Sequence, residues 1–449
     1  MSERLQRLAQ FCVDLRFEDL SPGLVAQAKR HILDTFGATL AGAASDIARQ
    51  AHKVFAGEAG EVPVWGTDLQ VCVGPAALLN GIAAHALELD DTGGCDHSGA
   101  VVLPAAMAAV SLRARPVSGR EFINAVVIGY EVSRRVLEAC GGYSAHNGAG
   151  WHSTATCGVF GAAAASARIL GLDTRQTLAA LGIAGSFSGG LWAFIHDGSH
   201  SKKLHSGRAA EGGLLAARFS QQGISGPTQL FDDVWGGFLN TLAPATSRPE
   251  ALDAELGVNW KLARCSIKPH ASCRGTHSAI DALGQLLEQL KVSVDQVENL
   301  HVGLSGFLHG MCGGRDVTHL AAAQMSLPYA LAARLVHGHC RLHAYDDRQR
   351  NDPLVIQCMS RIQLEVDPRL DEDGEPVVTL RTVDGRQASL CVEVPLGAPG
   401  NPLADEALDE KFFSLTTRVM PQERAAELLK QLRRMEDLES IRTLERWLG

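Results

Sequence analysis

Apolar side chains recur at helical spacing through most of the first 220 residues. After Ser21-Pro22, Val25, Ile32 and Phe36 lie on one face of a helix that starts at this pair, because Ser caps a first turn and Pro fits within it. The stretch 158–172 is so rich in Ala and Gly that it predicts an interior helix of a compact all-helical domain. The same pattern predicts helices over residues 71–90, 100–113, 119–138, 155–170, 174–195 and 207–222.

Alternation of apolar and polar positions begins after about residue 265. It marks the stretches 300–304 and 362–366 as strands, since residues two apart in a strand face the same side. Two further runs, 377–383 and 387–394, flank Asp384-Gly385, a dipeptide typical of a tight hairpin turn. A small sheet is therefore predicted in this part of the chain.

Helical spacing returns inside the same region, over 276–290 and 319–337, and strands mixed with helices indicate an α+β domain. The segment PLGAPGNPL (395–403) has the composition of a linker, and the chain after it is helical again. The predicted fold is mostly α. It consists of a large all-helical domain over 1–265, completed by 401–449 from the C-terminus, and a smaller α+β domain over 266–400.

Composition and net charge count against several classes of protein. Of the 449 residues, 46% are apolar but only 5% are aromatic, so the core must consist mainly of Ala, Leu, Val and Gly. A net charge of -9 argues against a nucleic-acid partner. No apolar stretch is long enough for a membrane span, and the charged, amphipathic N-terminus does not resemble a signal peptide. Eleven irregularly spaced Cys then predict reduced thiols and a cytoplasmic location.

Familiar catalytic motifs are missing from the sequence. It contains no phosphate loop of the GxxxxGK[ST] type, no HExxH and no GxSxG nucleophile elbow, and no predicted strand precedes the Gly-rich segment GVFGAA. The segments HGMC (309–312) and HGHC (337–340) carry soft ligands, but their spacing fits no common zinc arrangement. The sequence thus predicts neither a cofactor nor a metal.

The segment HALELDDTGGCDHSGA (85–100) follows an apolar run and carries Glu88, Asp90 and Asp91 within four residues. Buried carboxylates require partners, so each of these acids is expected to have one or to face a wet cavity. The alternative is a helix that ends in solvent at Gly93-Gly94. Both interpretations are compatible with the sequence alone.

Cationic and polar side chains gather at four predicted helix starts, where helix N-termini favour anions. Each start taken alone is equally explained by a solvated helix end. Together they suggest a site for a small polycarboxylate, in which Lys and Arg bind carboxylates while His, Tyr and carboxylate groups move protons beside them. The four segments are GWHST (150–154), HDGSHSKKLHSGRAA (196–210), IKPHASCRGTH (267–277) and SLPYALAARL (326–335).

Four motifs in this order resemble the MmgE/PrpD family, which contains 2-methylcitrate dehydratase, cis-aconitate decarboxylase and iminodisuccinate epimerase. They are HALELDDT with HSGAVVLPAA, GWHSTATCGVFGAAAASARILGL, SKKLHSGRAAEGG and IKPHASCRGTHSAIDA. The resemblance spans about residues 10–420. It implies a large helical domain made from both chain ends, a smaller α+β domain, a homodimer, no metal, and an active site between the domains.

Family positions carry over onto individual residues of this chain. The active-site acid falls on Glu88, where the decarboxylases have Asp, and the loop histidine falls on His97. Where the decarboxylases have a second His, five residues after the matching lysine, this chain has Cys273. The differences at Glu88 and Cys273 count against cis-aconitate decarboxylase itself. The other matched positions are Asp91, Thr92, His152, Lys202, Lys268 and Tyr329.

The resulting hypothesis is a cofactor-independent lyase of the dehydratase type acting on a small di- or tricarboxylate. An epimerase of an imino- or aminodicarboxylate and a non-catalytic carboxylate-binding protein remain alternatives. His152 is the predicted base, with Glu88, Asp91 or Tyr329 assisting or acting as acid. The predicted catalytic residues are His152, Lys202, Glu88, Asp91 and Tyr329, and the predicted substrate-binding residues are Thr92, His97, Lys268, Cys273, Arg274 and Arg208.

Overall fold

The computed structural model describes residues 3–448, which divide into two compact units. The first unit comprises the chain up to Trp192, Ser201–Ser266 and the residues from Ala404 onward. The second comprises Ala193–His200 and Ile267–Leu403. The sequence-based boundaries assign residues 193–200 to the helical domain, whereas here they belong to the second unit.

The first unit is built from helices and one short ladder of two antiparallel strands. Its first long helix begins at Pro22, and the Ser21 hydroxyl accepts a hydrogen bond from the Leu24 N–H at 3.2 Å, which confirms the predicted cap. In order, the elements are α1 (Glu3–Asp14), α2 (Pro22–Ala43), α3 (Asp46–Phe55), β1 (Val62–Pro63), β2 (Gln70–Val71), α4 (Val73–His85), α5 (Ser98–Ser111), α6 (Gly119–Ala139), α7 (Tyr143–Gly148), α8 (Ser153–Thr156), α9 (Gly158–Leu170), α10 (Thr174–Ala184), α11 (Ser201–Gln221) and α12 (Phe238–Leu242).

The second unit contains a four-stranded mixed sheet in the order β4-β3-β5-β6. Strand β3 pairs parallel with β4 and antiparallel with β5, and β5 continues into β6 through the predicted turn, where Gly385 has a φ of +88°. The elements are α13 (His277–Leu290), β3 (Val297–Leu304), α14 (Gly306–Cys312), α15 (Leu320–Gln324), α16 (Leu327–His337), α17 (Asp347–Arg350), α18 (Pro353–Ser360), β4 (Ile362–Val366), β5 (Val377–Thr382) and β6 (Gln387–Cys391).

The C-terminal segment returns to the first unit as α19 (Asp405–Thr416), α20 (Gln422–Arg433) and α21 (Glu445–Leu448). Lys411 in α19 donates hydrogen bonds to Asp34 Oδ1 at 2.5 Å and to the carbonyl oxygen of Leu89 at 2.8 Å. This single side chain therefore ties α19 both to α2 and to the loop after α4. A mostly helical protein with a smaller α+β portion is confirmed.

Three predicted helices have wrong boundaries. Helix α4 ends at His85 rather than at residue 90, because Glu88 takes up a left-handed backbone with a φ of +54°. Helix α10 ends at Ala184 instead of residue 195, ahead of a 3-10 turn that starts at Gly185. Helix α11 begins at Ser201, six residues before the predicted start, so its lysines lie inside its first turn rather than ahead of it.

The predicted helix over 319–337 is also wrong as one element, since it divides into α15 and α16. Ser326 lies between them with an extended backbone, and its hydroxyl accepts from the Tyr329 N–H at 3.1 Å as the cap of α16. Pro328 fits the first turn of this second helix, in agreement with the helix start predicted at SLPYALAARL (326–335). Within residues 3–448, no helix combines the length and the apolar character that crossing a membrane would require.

Two glycines set the closest approach of α4 and α11. A Cβ atom on Gly81 would lie 2.8 Å from the Cα of Gly207, and one on Gly207 would overlap the carbonyl oxygen of Leu78. Because residues four apart in a helix share a face, His85 lies one turn beyond Gly81, and Lys203 lies one turn before Gly207. The glycine contact thus fixes the spacing of two elements that carry charged and titratable side chains.

We expect Gly207→Ala to lower the free energy of unfolding by about 1–3 kcal/mol, because the added methyl group forces α4 and α11 apart. Gly74→Ala is the matched control, since a Cβ there meets nothing closer than a Glu211 carboxylate oxygen at 3.6 Å. Urea unfolding followed by circular dichroism measures both variants. Equal stability of the two variants would contradict the assignment of Gly207 as the contact point.

Candidate active site

Residues 86–97 form the loop between α4 and α5, and this loop is buried although it carries four acidic residues. Glu88 is 1% exposed, and Asp90 and Asp91 are fully buried. Glu88 and Asp96 have φ values of +54° and +105°, which non-glycine residues rarely adopt and which cost about 1–3 kcal/mol each. The burial excludes the alternative that the segment ends in solvent, and each buried acid has the partner that its desolvation requires.

Glu88 is paired with two lysines from the first turn of α11. Lys202 Nζ lies 2.5 Å from Glu88 Oε1, and Lys203 Nζ donates to the same oxygen. Both lysine side chains are more than nine-tenths buried. Two ammonium groups on one carboxylate leave the triad with a net charge of +1 when both lysines are protonated, which favours an incoming anion.

The two lysines differ in their electrostatics. Burial, with the repulsion of Lys202 added to it, lowers the pKa of Lys203 from 10.5 to about 8, despite the attraction of Glu88. An amine with a pKa near 8 exchanges its proton readily close to neutral pH. Lys203 therefore has the properties of an acid–base group.

Asp90 lies between two histidines. Its Oδ1 is 3.0 Å from His85 Nδ1, and its Oδ2 is 2.8 Å from His97 Nδ1, which also donates to the carbonyl oxygen of Asp91 at 3.2 Å. Burial alone would raise the pKa of Asp90, but the attraction of His97 and His85 outweighs it and lowers that pKa well below its usual range. Asp90 is therefore ionised; its Oδ1 accepts a hydrogen bond from His85 Nδ1, and its Oδ2 is in close ion-pair contact with the His97 ring.

Asp91 has hydrogen bonds on both carboxylate oxygens. Its Oδ1 accepts from the Gly99 N–H at 2.9 Å, in the first turn of α5, while its Oδ2 accepts from the Tyr130 hydroxyl at 2.5 Å and contacts His31 Nδ1 at 3.1 Å. These contacts tie the loop to α5, α6 and α2. The proton-transfer role predicted for Asp91 stays a prediction, and its geometry is that of a structural anchor.

Thr92, Asp96 and His97 form a hydrogen-bonded group beside His152. The Thr92 hydroxyl donates to Asp96 Oδ1 at 2.9 Å, while Asp96 Oδ2 lies 3.3 Å from His97 Nε2 and 4.0 Å from His152 Nε2. Since His97 Nδ1 already donates to a carbonyl, its Nε2 can face a carboxylate favourably only with a proton between them. The pair His97–Asp96 thus has a place for one additional proton.

His152 is the N-cap residue of α8 and is fully buried. Its Nδ1 lies 2.9 Å from Nδ1 of His205, and its ring packs edge-on against Trp192. Burial, followed by the repulsion of His205 and Lys202, lowers the pKa of His152 well below its usual value. Burial and the repulsion of Lys202 also lower the pKa of His205 to about 4. Both rings are therefore neutral near pH 7, which suits a proton acceptor.

Arg208 does not join this cluster. Its side chain is 60% exposed and pairs with Glu211 one turn further along α11. Lys202 and Arg208 are six residues apart on one helix, so they point in different directions. The predicted role of Arg208 in substrate binding has no support from its position.

The remaining predicted residues lie in the second unit. Lys268 is 1% exposed, and Cys273 is buried with its N–H donating to the carbonyl oxygen of Gln324 at 2.8 Å. Arg274 pairs with Glu375 at 2.6 Å, and the Tyr329 hydroxyl donates to the carbonyl oxygen of Ala344 at 2.5 Å, inside the core. The function of these four residues stays a prediction.

Lys268 belongs to a basic group in this second unit. Burial, together with the repulsion of His270, Lys268 and Arg274, lowers the pKa of His277 well below its usual value. His270 Nε2 lies 3.0 Å from Asp281 Oδ1, which partly balances this positive charge. The cationic composition that the sequence predicts at the start of α13 is thus a feature of the folded unit.

Among residues 3–448, three buried sets of side chains have metal-binding chemistry: His85, Asp90 and His97; Asp96, His97 and His152; and Cys140, His146 and Cys157. In the first set the nitrogen–oxygen distances of 2.8 and 3.0 Å are shorter than the roughly 3.3 Å that separates ligands around one tetrahedral zinc ion. In the third set, His146 Nε2 already contacts the Thr156 hydroxyl at 2.7 Å. These distances are typical of hydrogen bonds between the side chains themselves.

The sequence prediction missed several members of the first-unit cluster. Asp90 belongs to the acidic run and Lys203 to a Lys-Lys pair, but roles are predicted from the sequence only for their neighbours Glu88, Asp91 and Lys202. The expectation that every buried acid has a partner does not by itself identify the histidines and the second lysine that are those partners. The missed residues are His85, Asp90, Asp96, Lys203, His205 and Trp192.

Comparison with known proteins gives matches along almost the whole chain. The MmgE/PrpD N-terminal domain matches residues 6–249 and the MmgE/PrpD C-terminal domain matches residues 270–437. Cis-aconitate decarboxylase-like protein oryM of Aspergillus oryzae is 30% identical over 442 residues, which cover 93% of this chain and 91% of that protein. The cis-aconitate decarboxylases of Aspergillus terreus and Homo sapiens are 28% and 27% identical, over 94% and 96% of this chain and 91% of each relative. The chain therefore belongs to the MmgE/PrpD family.

Proposed function

We propose that this protein is a cofactor-independent lyase that dehydrates a small hydroxy di- or tricarboxylate. The observation that carries the proposal is one buried cluster in which neutral His152 accompanies Lys202 and Lys203 on Glu88. Such a site offers a base, an acid and positive charge together. Its position in a family whose relatives include cis-aconitate decarboxylases also supports a lyase.

Binding uses the positive charge of the lysine pair. A substrate carboxylate replaces part of the charge of Glu88 as the partner of Lys202, and the low-dielectric surroundings strengthen that attraction. The same ammonium group stabilises the enolate-like charge that develops on the carboxylate when the neighbouring carbon loses its proton.

The chemical step moves two protons. His152 accepts the proton from the carbon beside a carboxylate, and the electron pair of that C–H bond forms the double bond. The C–O bond breaks, and Lys203 gives its proton to the departing hydroxide, so that water leaves. After the product leaves, His152 releases its proton to water and Lys203 takes up one proton from water, which restores both groups for the next turnover. We place the acid function on Lys203 rather than on Asp91 or Tyr329, because hydrogen bonds to their surroundings already occupy both of those groups.

Decarboxylation of cis-aconitate is the second candidate function, because relatives of this chain are cis-aconitate decarboxylases. That reaction releases CO2 and needs a donor that protonates carbon. The lowered pKa of His152 leaves the ring without a second proton at neutral pH, so His152 does not hold the proton that such a donor must supply. Epimerisation of an imino- or aminodicarboxylate and binding without catalysis remain distinguishable outcomes, and the homodimer stays a prediction.

We expect turnover of a hydroxy acid when 2-methylcitrate, citrate, cis-aconitate and iminodisuccinate are each incubated with the protein in D2O and followed by NMR. His152→Ala and Lys202→Ala should each lower kcat by about 10²–10⁴-fold, since each removes a group used in the transition state. Lys430→Ala is the control, because that lysine is 65% exposed on α20.

The product identifies the reaction. An alkene with water lost supports dehydration, CO2 release points to the decarboxylase, and deuterium exchange at carbon without an alkene points to the epimerase. Unchanged turnover in both His152→Ala and Lys202→Ala would refute the assignment of the site.

The pH profile provides a separate check. Lys203 must be protonated to act as the acid, so kcat/KM should fall as the pH rises through about 8, the pKa of this lysine in the free protein. Lys203→Arg should move this alkaline limb to higher pH, because a guanidinium stays protonated, and should lower kcat. A limb that stays in place in Lys203→Arg would exclude Lys203 as the acid.

A further inference from the structure

His85 has one ring nitrogen without a hydrogen-bond partner among residues 3–448. The ring is fully buried at the end of α4, and its Nδ1 is held by Asp90 at 3.0 Å. Its Nε2 makes no hydrogen bond in the described part of the chain. That nitrogen lies 3.4 Å from Glu88 Oε1, the oxygen to which Lys202 and Lys203 also bind. This buried nitrogen, which makes no hydrogen bond, thus faces the Glu88–lysine group on which the proposed reaction depends.

The protonation of His85 follows from its neighbours. An ionised carboxylate only accepts hydrogen bonds, so the contact with Asp90 places the single proton of a neutral ring on Nδ1. Burial and the nearby positive charges of His97 and Lys203 oppose a second proton and lower the pKa of His85 well below its usual value. Glu88 Oε1, 3.4 Å away, makes no hydrogen bond with Nε2, because this oxygen already accepts from the Lys202 and Lys203 ammonium groups. Unlike Nε2 of His97, this nitrogen therefore carries a lone pair and acts as a hydrogen-bond acceptor.

Among the groups of a small polycarboxylate, only some can satisfy such an acceptor. Ionised carboxylates have no proton to donate to Nε2, and their negative charge is already bound by the two lysines. A hydroxyl group donates one hydrogen bond and accepts others. A ligand that lacks it leaves the buried nitrogen unpaired, which is how buried polar sites reject analogues without the matching group.

We propose that His85, held in one tautomer by Asp90, is a specificity-determining residue whose Nε2 accepts a hydrogen bond from the hydroxyl group of the substrate. The inference rests on the proposed function and deepens it, because it names the feature by which the site selects hydroxylated acids over unsaturated or unsubstituted ones. In this arrangement His85 binds the hydroxyl hydrogen while Lys203 faces the hydroxyl oxygen. The oxygen is then oriented to take the lysine proton as the C–O bond breaks.

Citrate and tricarballylate test the proposal directly, since they have the same three carboxylates and differ only in the hydroxyl group. Ligand-observed NMR titration of the full chain measures both affinities and reports any turnover of citrate in the same sample. We expect the wild-type protein to bind citrate at least about tenfold more tightly than tricarballylate. His85→Phe removes the acceptor and should bring the ratio of the two dissociation constants close to one.

Asp90→Asn is a second variant, which keeps the His85 ring and changes only the nitrogen that carries its proton. A carboxamide can donate to His85 Nδ1, and the proton of the ring then moves to Nε2, where it converts the acceptor into a donor. The preference for citrate should fall in Asp90→Asn as well, although the His85 ring is still present. His343→Asn is the matched control, because that histidine pairs with Asp346 at an exposed position and should leave the ratio unchanged.

The outcomes separate this inference from the proposed function. Equal affinity of the wild-type protein for both acids, together with dehydration of a hydroxy acid, would overturn the role of His85 and leave the dehydratase in place. Failure to bind or convert any acid of the panel would refute both. If His85→Phe does not fold, nitrogen NMR of the wild-type histidines decides: a protonated Nε2 on His85 at neutral pH contradicts the proposal, and a bare Nε2 supports it.

Discussion

The burial of charge in the loop between α4 and α5 is the constraint on which the first unit depends. Burying a carboxylate without a partner costs more free energy than the whole net stability of a typical domain. Glu88, Asp90 and Asp91 are nevertheless buried within four residues of one another. The loop is stable only because three different sets of side chains meet it, from α2 and α6, from the neighbouring histidines, and from α11.

These partners also explain why the helices pack as they do. The lysines of α11 can reach Glu88 because Gly81 and Gly207 let α4 and α11 approach to backbone contact. A bulkier pair at this crossing would move Lys203 away from the carboxylate. Small residues in these helices therefore contribute to the electrostatics of the cluster as well as to packing.

Much of the fold follows from local patterns in the sequence. Ser21-Pro22 marks the start of α2, and alternation with Asp384-Gly385 marks the hairpin of β5 and β6. The end of α4 could not be found in this way, because apolar residues continue the helical pattern while the backbone turns at Glu88. That turn is decided by contacts with residues more than a hundred positions away, which a local pattern does not contain.

The candidate site could be predicted from the sequence to a similar extent. The rule that buried acids need partners predicted that Glu88 and Asp90 would be paired, and they are. It could not identify Lys203 or His85 as partners, since composition does not show which side of a helix faces inward. The same limit explains Arg208, which shares a cationic segment with Lys202 but points to solvent.

The hydrogen bond from Lys411 to the carbonyl oxygen of Leu89 has a consequence for biosynthesis. A chain emerging from the ribosome exposes the loop long before α19 exists, because more than three hundred residues separate the two. During that interval the loop lacks one of its backbone contacts, and Asp34 lacks its cation. The loop therefore acquires its last ties only near the end of translation, so a chain that terminates before residue 411 would leave the ribosome with this region incomplete.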